Sequence, residues 1–319
     1  MLNIEQIEND KDKILQENIL PNVCWNRFDL RYPNDYKISK INAPGKEIYV
    51  ASHMDGVTIN VSMYLREMDA GIFRMVVKYL FELYPDAMTL YVLHTYTKIN
   101  GIDPAVHWHI DLPKTIEEFN STLSHRVRYN TKWYPKKIRE NIGEYIIKYI
   151  DVSDCPDDVV QKYFEWKKQT HGTDYGLTPK QYLGKFCVTG VYVMQTEMEI
   201  LAIGFISETG ENVFFENFSY NQKYAKYSPG MVLYYFLISD LIARKKKRLY
   251  LLGGNLEYKK HFNGIATMTY SGFLYREQFI RPEWIAVLAK MTPRFLRGIV
   301  RFLLPHSNQK RAFSAQFKK

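Results

Sequence analysis

Asn212-Val213-Phe214-Phe215-Glu216-Asn217-Phe218-Ser219-Tyr220-Asn221 opens the most informative part of the chain. Its aromatic and apolar residues predict a strand over 213–219. Glu208-Thr209-Gly210-Glu211 just before it reads as a turn, so 200–207 and 213–219 pair as an antiparallel hairpin. Downstream come Tyr227-Ser228-Pro229-Gly230-Met231, a long apolar helix over 229–246 and a buried strand over 248–252. The stretch closes with Gly253-Gly254-Asn255-Leu256-Glu257-Tyr258-Lys259-Lys260-His261-Phe262-Asn263-Gly264, where a short helix begins near Asn255. Gly230 thus stands at the start of a helix that follows a strand. Unpaired backbone N–H groups and the positive end of the helix dipole favour an anion there, and a cofactor pyrophosphate is the natural guest. A glycine in that place can equally just shape the turn.

Working outward, residues 57–65 alternate Val57, Ile59, Val61, Met63 and Leu65 with polar neighbours, a half-buried strand. Over 69–83 the period changes, and Ile72, Met75, Val76, Tyr79, Leu80 and Leu83 fall on one helical face. Strands follow over 88–96 and 106–112, giving one α/β layer structure across about residues 20–112. Helices near 115–140 and 156–170, a strand over 190–195 and a final strand over 268–275 complete a second α/β half. Ile4, Ile7, Ile14 and Leu15 suggest a short amphipathic N-terminal helix. The expected organisation is mixed α/β, in two comparable halves over 1–110 and 111–275, with a helical tail over 276–319.

The 319 residues, 46% hydrophobic and 24% charged, describe a globular chain and exclude disorder as its main state. The apolar run 231–243, broken by Asp240, is shorter than the ~20 residues a membrane-spanning helix needs. The polar N-terminus does not resemble a signal peptide. Cys24, Cys155 and Cys187 lack metal-ligand spacing, so a reducing, cytoplasmic setting is expected, with no metal site.

The net charge of +9 is concentrated. Residues 276–319 hold ten Lys+Arg against Glu277 and Glu283, leaving the remainder nearly neutral. Trp284, Ile285, Val287 and Leu288 predict one tail helix. A second, opened by Pro293, sets Phe295, Leu296, Ile299 and Val300 among Arg294, Arg297 and Arg301. Such a basic amphipathic helix suits peripheral association with an anionic membrane, or packs on the body with its arginines in water. A second basic stretch, Arg126 to Arg139, follows a helix opened by a Thr115/Glu118 capping pair.

With these residues in place, the segment 111–275 resembles the GNAT superfamily of acyl-coenzyme A-dependent acyltransferases. The resemblance implies that Ser228, Gly230 and Met231 cradle the cofactor pyrophosphate, that Asn255 touches the cofactor arm, and that Tyr258 protonates the departing thiolate. It is closer still to the branch containing CelD-type acetyltransferases and Fem-type aminoacyltransferases, in which two GNAT-like halves occur and a Gly-Gly…(Tyr/Phe)-Lys-Lys-x-Phe-x-Gly stretch ends the active half. That comparison implies an arginine-rich helix at the substrate side, here Arg126 and Arg128, with Tyr220 and Asn221 after the hairpin. It also makes Lys259 a position of interest.

Acyl transfer to an amine needs a path for the ammonium proton, donors for the oxyanion and an acid for the sulfur. Glu216, set among Phe214, Phe215 and Phe218, is a candidate base, since aromatic surroundings raise a carboxyl pKa. On an alternating strand it could instead face solvent. His171, beside Gly172, is a second candidate base or substrate contact, or a surface residue. His107 and His109 share a strand face and lack a third metal ligand, so they read as packing. Lys259 and Lys260 could neutralise phosphates or an oxyanion, or form a solvated helix end. Asp240 reads as a helix-face residue.

The expected function is an acyl-CoA-dependent N-acyltransferase using acetyl-CoA or another acyl-CoA. Its acceptor, supplied by the resemblance, is an amino group on a sugar nucleotide or cell-surface polysaccharide precursor. The alternatives are a Fem-type transferase drawing on aminoacyl-tRNA, whose phosphates demand Lys and Arg, and a non-catalytic GNAT-like scaffold.

Overall fold

The computed structural model describes residues 3–7, 35–43, 46–62, 68–99, 102, 104–254, 257–279, 291–293 and 296–303. The chain forms two compact units: Met1–Ile19, Tyr32–Ala105 and Thr269–Lys319 in one, Leu20–Arg31 and Val106–Met268 in the other.

In the first unit, β1 (Asn3–Ile7), β2 (Lys37–Ala43), β3 (Lys46–Asp55) and β4 (Thr58–Ser62) pair antiparallel in succession. Helix α1 (Ala70–Leu83) then crosses to β5 (Thr89–Thr95), which lies parallel to β4. Where the N-terminal helix is expected, Ile4 and Ile7 instead lie in a strand, with backbones paired to Ile41 and Ile38 of β2, and Ile14 and Leu15 lie outside the described residues. Asp69 caps α1, its carboxylate accepting from the Gly71 and Ile72 N–H groups. The buried face of α1 is Phe73, Val76, Val77, Leu80 and Phe81, packed on Ile48, Val50, Ile59, Leu90 and Val92. Met75, placed on the apolar face by periodicity, is exposed.

The second unit begins with β6 (Ala105–Asp111), α2 (Ile116–Thr122), α3 (His125–Asn141) and β7 (Ile146–Asp151). Next come α4 (Asp157–His171), α5 (Pro179–Lys185), β8 (Gly190–Gln195), β9 (Ile200–Thr209) and β10 (Asn212–Tyr220). A 3-10 turn (Gln222–Tyr227), α6 (Pro229–Ala243), β11 (Arg248–Gly253) and α7 (Glu257–His261) follow. The strand order here is β7-β8-β9-β10-β11-β6. Only β10 and β11 are parallel, as a strand–helix–strand crossover requires. Helix α6 is apolar on nearly every side because it lies between the sheet and α2 and α3, where Leu233, Leu237, Ile238 and Leu241 are fully buried. The opposite sheet face is covered by α4 and α5 through Val160, Tyr163, Trp166 and Tyr182.

The contacts do not divide at 110/111 and 275/276 as expected. Strand β6 pairs antiparallel with β11 from Arg248↔Asp111 to Gly253↔His107, and Trp108 and Ile110 enter the α6 core. Residues Tyr270–Tyr275 of strand β12 (Ile265–Tyr275) pair with β5 within the first unit.

Of the tail, α8 (Arg276–Phe279) and α9 (Arg297–Leu303) are described. The helix expected over 282–291 lies outside the described residues, apart from Met291. Arg276 belongs to the body: its guanidinium donates to the carbonyls of Phe81, Tyr84 and Ala87 at the end of α1. Among the described residues no helix is long and apolar enough to cross a membrane.

The cap at Asp69 gives a direct check of the first unit. Asp69→Ala should lower stability by about 1 kcal/mol in a denaturant titration, and Asp69→Asn should recover most of it.

Candidate functional site

Strands β10 and β11 pair over only three residues, Asn212↔Arg248, Val213↔Leu249 and Phe214↔Tyr250. The last pair is closed by stacked rings 4.6 Å apart. Beyond it both strands leave register. On β10 the pairing with β9 shifts between Phe215 and Asn217, so Glu216 is an extra residue in a bulge. On β11 the pairing with β6 shifts between Tyr250 and Leu252, and Leu252 has φ +58°.

The bulge decides which side chains meet. Without it Phe215 and Phe218 would point to opposite faces; with it both face α6. Phe215, Phe218, Tyr220, Ser228, Gly230, Tyr234 and Tyr258 line a cavity of about 210 Å³, together with Met231. Ser228 (φ +48°) turns the chain into α6, and Pro229 opens the helix without an N–H to offer. The Met231 and Val232 N–H groups donate to Ser228 O at 2.9 and 3.3 Å, which leaves the Gly230 N–H at the positive end of the helix. Gly230 is also held by packing, since a Cβ there would lie 2.6 Å from the Phe218 ring.

Two tyrosines contribute to the cavity wall. Tyr234 is fully enclosed, its hydroxyl has no hydrogen-bond partner among the described residues, and burial pushes its pKa far up. Tyr258 meets the Tyr234 ring edge-on at 5.2 Å, and burial raises its hydroxyl to about 12. It is therefore protonated throughout the neutral range. Full proton transfer from it to a thiolate of ordinary pKa would be uphill by roughly 5 kcal/mol, so its natural service is a hydrogen bond to the sulfur.

Five sequence-selected residues thus meet at one cavity: Tyr220, Ser228, Gly230, Met231 and Tyr258. The others lie elsewhere. Glu216 is buried rather than facing solvent, but beside Tyr182 on the α4–α5 face, away from the cavity. Lys259 is neither a solvated helix end nor a free cation. Only 1% exposed, its ammonium donates to the carbonyls of Leu252 (3.3 Å), Gly253 (2.6 Å) and Gly254 (3.2 Å). Burial pushes that ammonium down to about 8, while the three carbonyls favour its charged form. With three donors on three acceptors, no donor remains for a phosphate or an oxyanion. His171 is exposed at the end of α4. Asn221 is fixed by its amide to Glu199 at 3.1 Å and caps the 3-10 turn. Asn255 lies outside the described residues. His107 and His109 are buried on β6, and His109 sits 3.4 Å from the Thr267 hydroxyl. Asp240 accepts the Tyr192 hydroxyl at 2.5 Å.

The basic stretch flanks this site. Helices α2 and α3 lie beside α6: Tyr235 donates to Asn120 of α2, and Lys137 of α3 lies within electrostatic reach of Tyr227. Lys136, Lys137 and Arg139 are paired with Glu140 and Glu144. Arg128 donates at 2.6 Å to Leu123 O at the end of α2. Among the described residues, exposed Arg126, Lys132 and Lys226 make no ion pair, and Lys226, on the 3-10 turn that leads to Ser228, stands next to the start of α6.

Phe215, Phe218 and Tyr234 were not selected from the sequence. Tyr234 stands one helical turn after Gly230, a signal that helical periodicity carries. Phe218 could not be placed without the bulge.

Residues 125–260 match the family model described as the acetyltransferase (GNAT) domain, which contains the cavity. Solved structures agree in fold. FemX superimposes with a TM-score of 0.59 at 7% identity, over 84% of this chain and 97% of that one. The C-terminal domain assigned to a lysylphosphatidylglycerol synthetase from Agrobacterium fabrum does so with 0.54 at 11% identity, over 83% and 92%. L-PGS from Bacillus licheniformis gives 0.53 at 12% identity, over 89% and 96%. No curated protein sequence matches the chain.

Lys259→Met should destabilise the protein by about 2–4 kcal/mol, because three strand-end carbonyls lose their donor in the interior. Thermal denaturation checks it, with the exposed neighbour Lys260→Met as a control that leaves Tm unchanged.

Proposed function

We propose that the protein is an N-acyltransferase that takes an acyl group from coenzyme A and passes it to an amino group of a sugar nucleotide or cell-surface polysaccharide precursor. The observation that carries the donor half is the parting of β10 and β11 next to the start of α6, where an apolar cavity meets a positive helix end. The residues suit a thioester donor. The cavity takes the acyl end, the Gly230 N–H and the Tyr258 hydroxyl offer hydrogen bonds, and exposed Lys226 just before Ser228 favours phosphates outside. The acceptor class rests on the resemblance of Gly253…Gly264 to the CelD-type branch.

In the reaction the amine nitrogen forms a bond to the acyl carbon, the carbon–sulfur bond breaks, and the amine gives up a proton. The Gly230 N–H is the donor for the carbonyl oxygen, and Tyr258 hydrogen-bonds the sulfur as it gains charge. No carboxylate lines the cavity among the described residues, so the amine proton leaves through solvent at its mouth.

A transferase that draws on aminoacyl-tRNA is the second reading, favoured by the exposed basic residues on α3 and the 3-10 turn. Salt separates the two, since a tRNA contact through several phosphates weakens far more steeply between 50 and 200 mM salt, by orders of magnitude.

Calorimetric titration with acetyl-CoA is the test. Binding should be micromolar in the wild type and weaker by about three- to tenfold in Lys226→Glu, whose side chain is exposed and whose loss leaves Tm unchanged. Tyr258→Phe should keep the affinity and lower kcat by roughly 10- to 100-fold once an acceptor is found. The wild-type rate should show no loss from Tyr258 ionisation up to about pH 10, because its hydroxyl titrates near 12. Absence of any CoA binding overturns the proposal.

A further inference from the structure

The donor site makes no use of the basic tail. Residues 276–319 carry ten Lys+Arg against Glu277 and Glu283, a surplus of eight positive charges on a chain that is nearly neutral elsewhere. Sequence periodicity admits two places for the tail helix: packed on the body with its arginines in water, or laid on an anionic surface. The two differ in which stripe is covered. Packing buries Ile299 and its apolar neighbours and leaves Arg297 and Arg301 outside. Docking on a surface needs the apolar stripe to be free.

Helix α9 leaves that stripe free. Ile299 is 57% exposed, and Leu296 and Val300 are only half-buried. Arg297 is half-buried as well, so the helix is not turned with its apolar side in and its basic side out. Helix α1 of the same unit shows what a packed amphipathic helix does, burying Phe73, Val76, Val77, Leu80 and Phe81 together. Met291, ahead of α9, is 76% exposed. The root of the tail is nevertheless fixed to the first unit. The Arg276 guanidinium holds three carbonyls at the end of α1, and its backbone N–H donates to Met88 O at 2.9 Å.

We propose that the tail docks on the surface of an anionic lipid bilayer, with Ile299 and Val300 of α9 at the boundary between headgroups and acyl chains and Arg301 on the lipid phosphates. The exposed apolar residues decide for lipid over nucleic acid. Phosphates alone reward the arginines and leave Ile299 in water, whereas a bilayer rewards both. The charge sets the class of lipid, because an anionic surface attracts each nearby Lys or Arg by roughly fivefold in affinity and a neutral one does not. The contact is superficial: α9 has seven residues, and no described helix is long and apolar enough to cross a membrane. This docking uses no residue of the cavity, so it stands whether or not coenzyme A is the donor.

The experiment is co-sedimentation of the full chain with two kinds of vesicle, phosphatidylcholine alone and phosphatidylcholine with about one third phosphatidylglycerol. The wild type should partition at least roughly tenfold more strongly onto the anionic vesicles, and should lose that preference between about 0.1 and 1 M salt. Arg301→Glu should weaken anionic partition by about fivefold or more. Ile299→Asp should weaken it by about tenfold or more, and Ile299→Leu should match the wild type. Both positions are exposed, so Tm should stay unchanged in all three variants. Lys132→Glu removes an equally exposed cation from α3 and should leave partition as it was. Equal partition onto the two vesicles, or none onto either, overturns the proposal. So does an Ile299→Asp variant that sediments like the wild type, or one whose Tm falls because Ile299 serves packing. Mixed-sequence single-stranded RNA is the competitor in the same assay. If it binds in the wild type, is lost in Arg301→Glu and is unaffected by Ile299→Asp while vesicles fail to bind, the tail is a nucleic-acid surface instead.

Discussion

Everything at the candidate site depends on how the parallel pairing of β10 and β11 ends. Three residue pairs hold the strands together, the Phe214–Tyr250 stack closes the last, and beyond it the strands part. Parted strand ends leave backbone carbonyls without a ladder, and in an interior those groups must find donors. Lys259 supplies them, placing one ammonium on three successive carbonyls of the β11 end. The gap between the strands can then be occupied by side chains of α6 and α7 instead of closing into a continuous sheet.

The same device explains why the site is aromatic. A bulge costs β10 one pairing position, but it turns Phe218 to the helix side. Gly230 lets that ring approach the first turn of α6, and Tyr234 and Tyr258 complete the wall. Thus a strand irregularity, a helix start and a short helix converge within one strand–helix–strand crossover. The second unit holds the whole cavity, and its sequence span agrees with the matched acetyltransferase (GNAT) domain over residues 125–260.

Much of this was legible in the sequence where periodicity is strong. The hairpin around Gly210, the strand at 190–195, the helix opened by Pro229 and the strand before Gly253-Gly254 all stand where expected. The exceptions have physical causes. Ile4 and Ile7 are spaced equally well for a helix, but pairing with β2 makes them a strand, a long-range contact that local spacing cannot reveal. Strand β6 was assigned to the first half by its order, whereas its partner β11 lies about 140 residues later. Lys259 stood out as a lysine in a motif, yet its burial and its three carbonyl partners follow from the parting of the strands. Glu216 stands among aromatic groups, but it follows Phe215, which faces the cavity, and strand alternation puts it on the opposite face beside Tyr182.

The most direct test of the account is hydrogen–deuterium exchange with and without a saturating short-chain acyl-CoA. Donor binding at the parted strands should slow exchange in 214–220, 228–235 and 257–262 and leave unchanged the separate groove of the second unit lined by Val152, Cys155, Leu183 and Cys187. Protection confined to that groove or to the first unit, with none at the start of α6, would contradict the assignment of the cavity as the donor site.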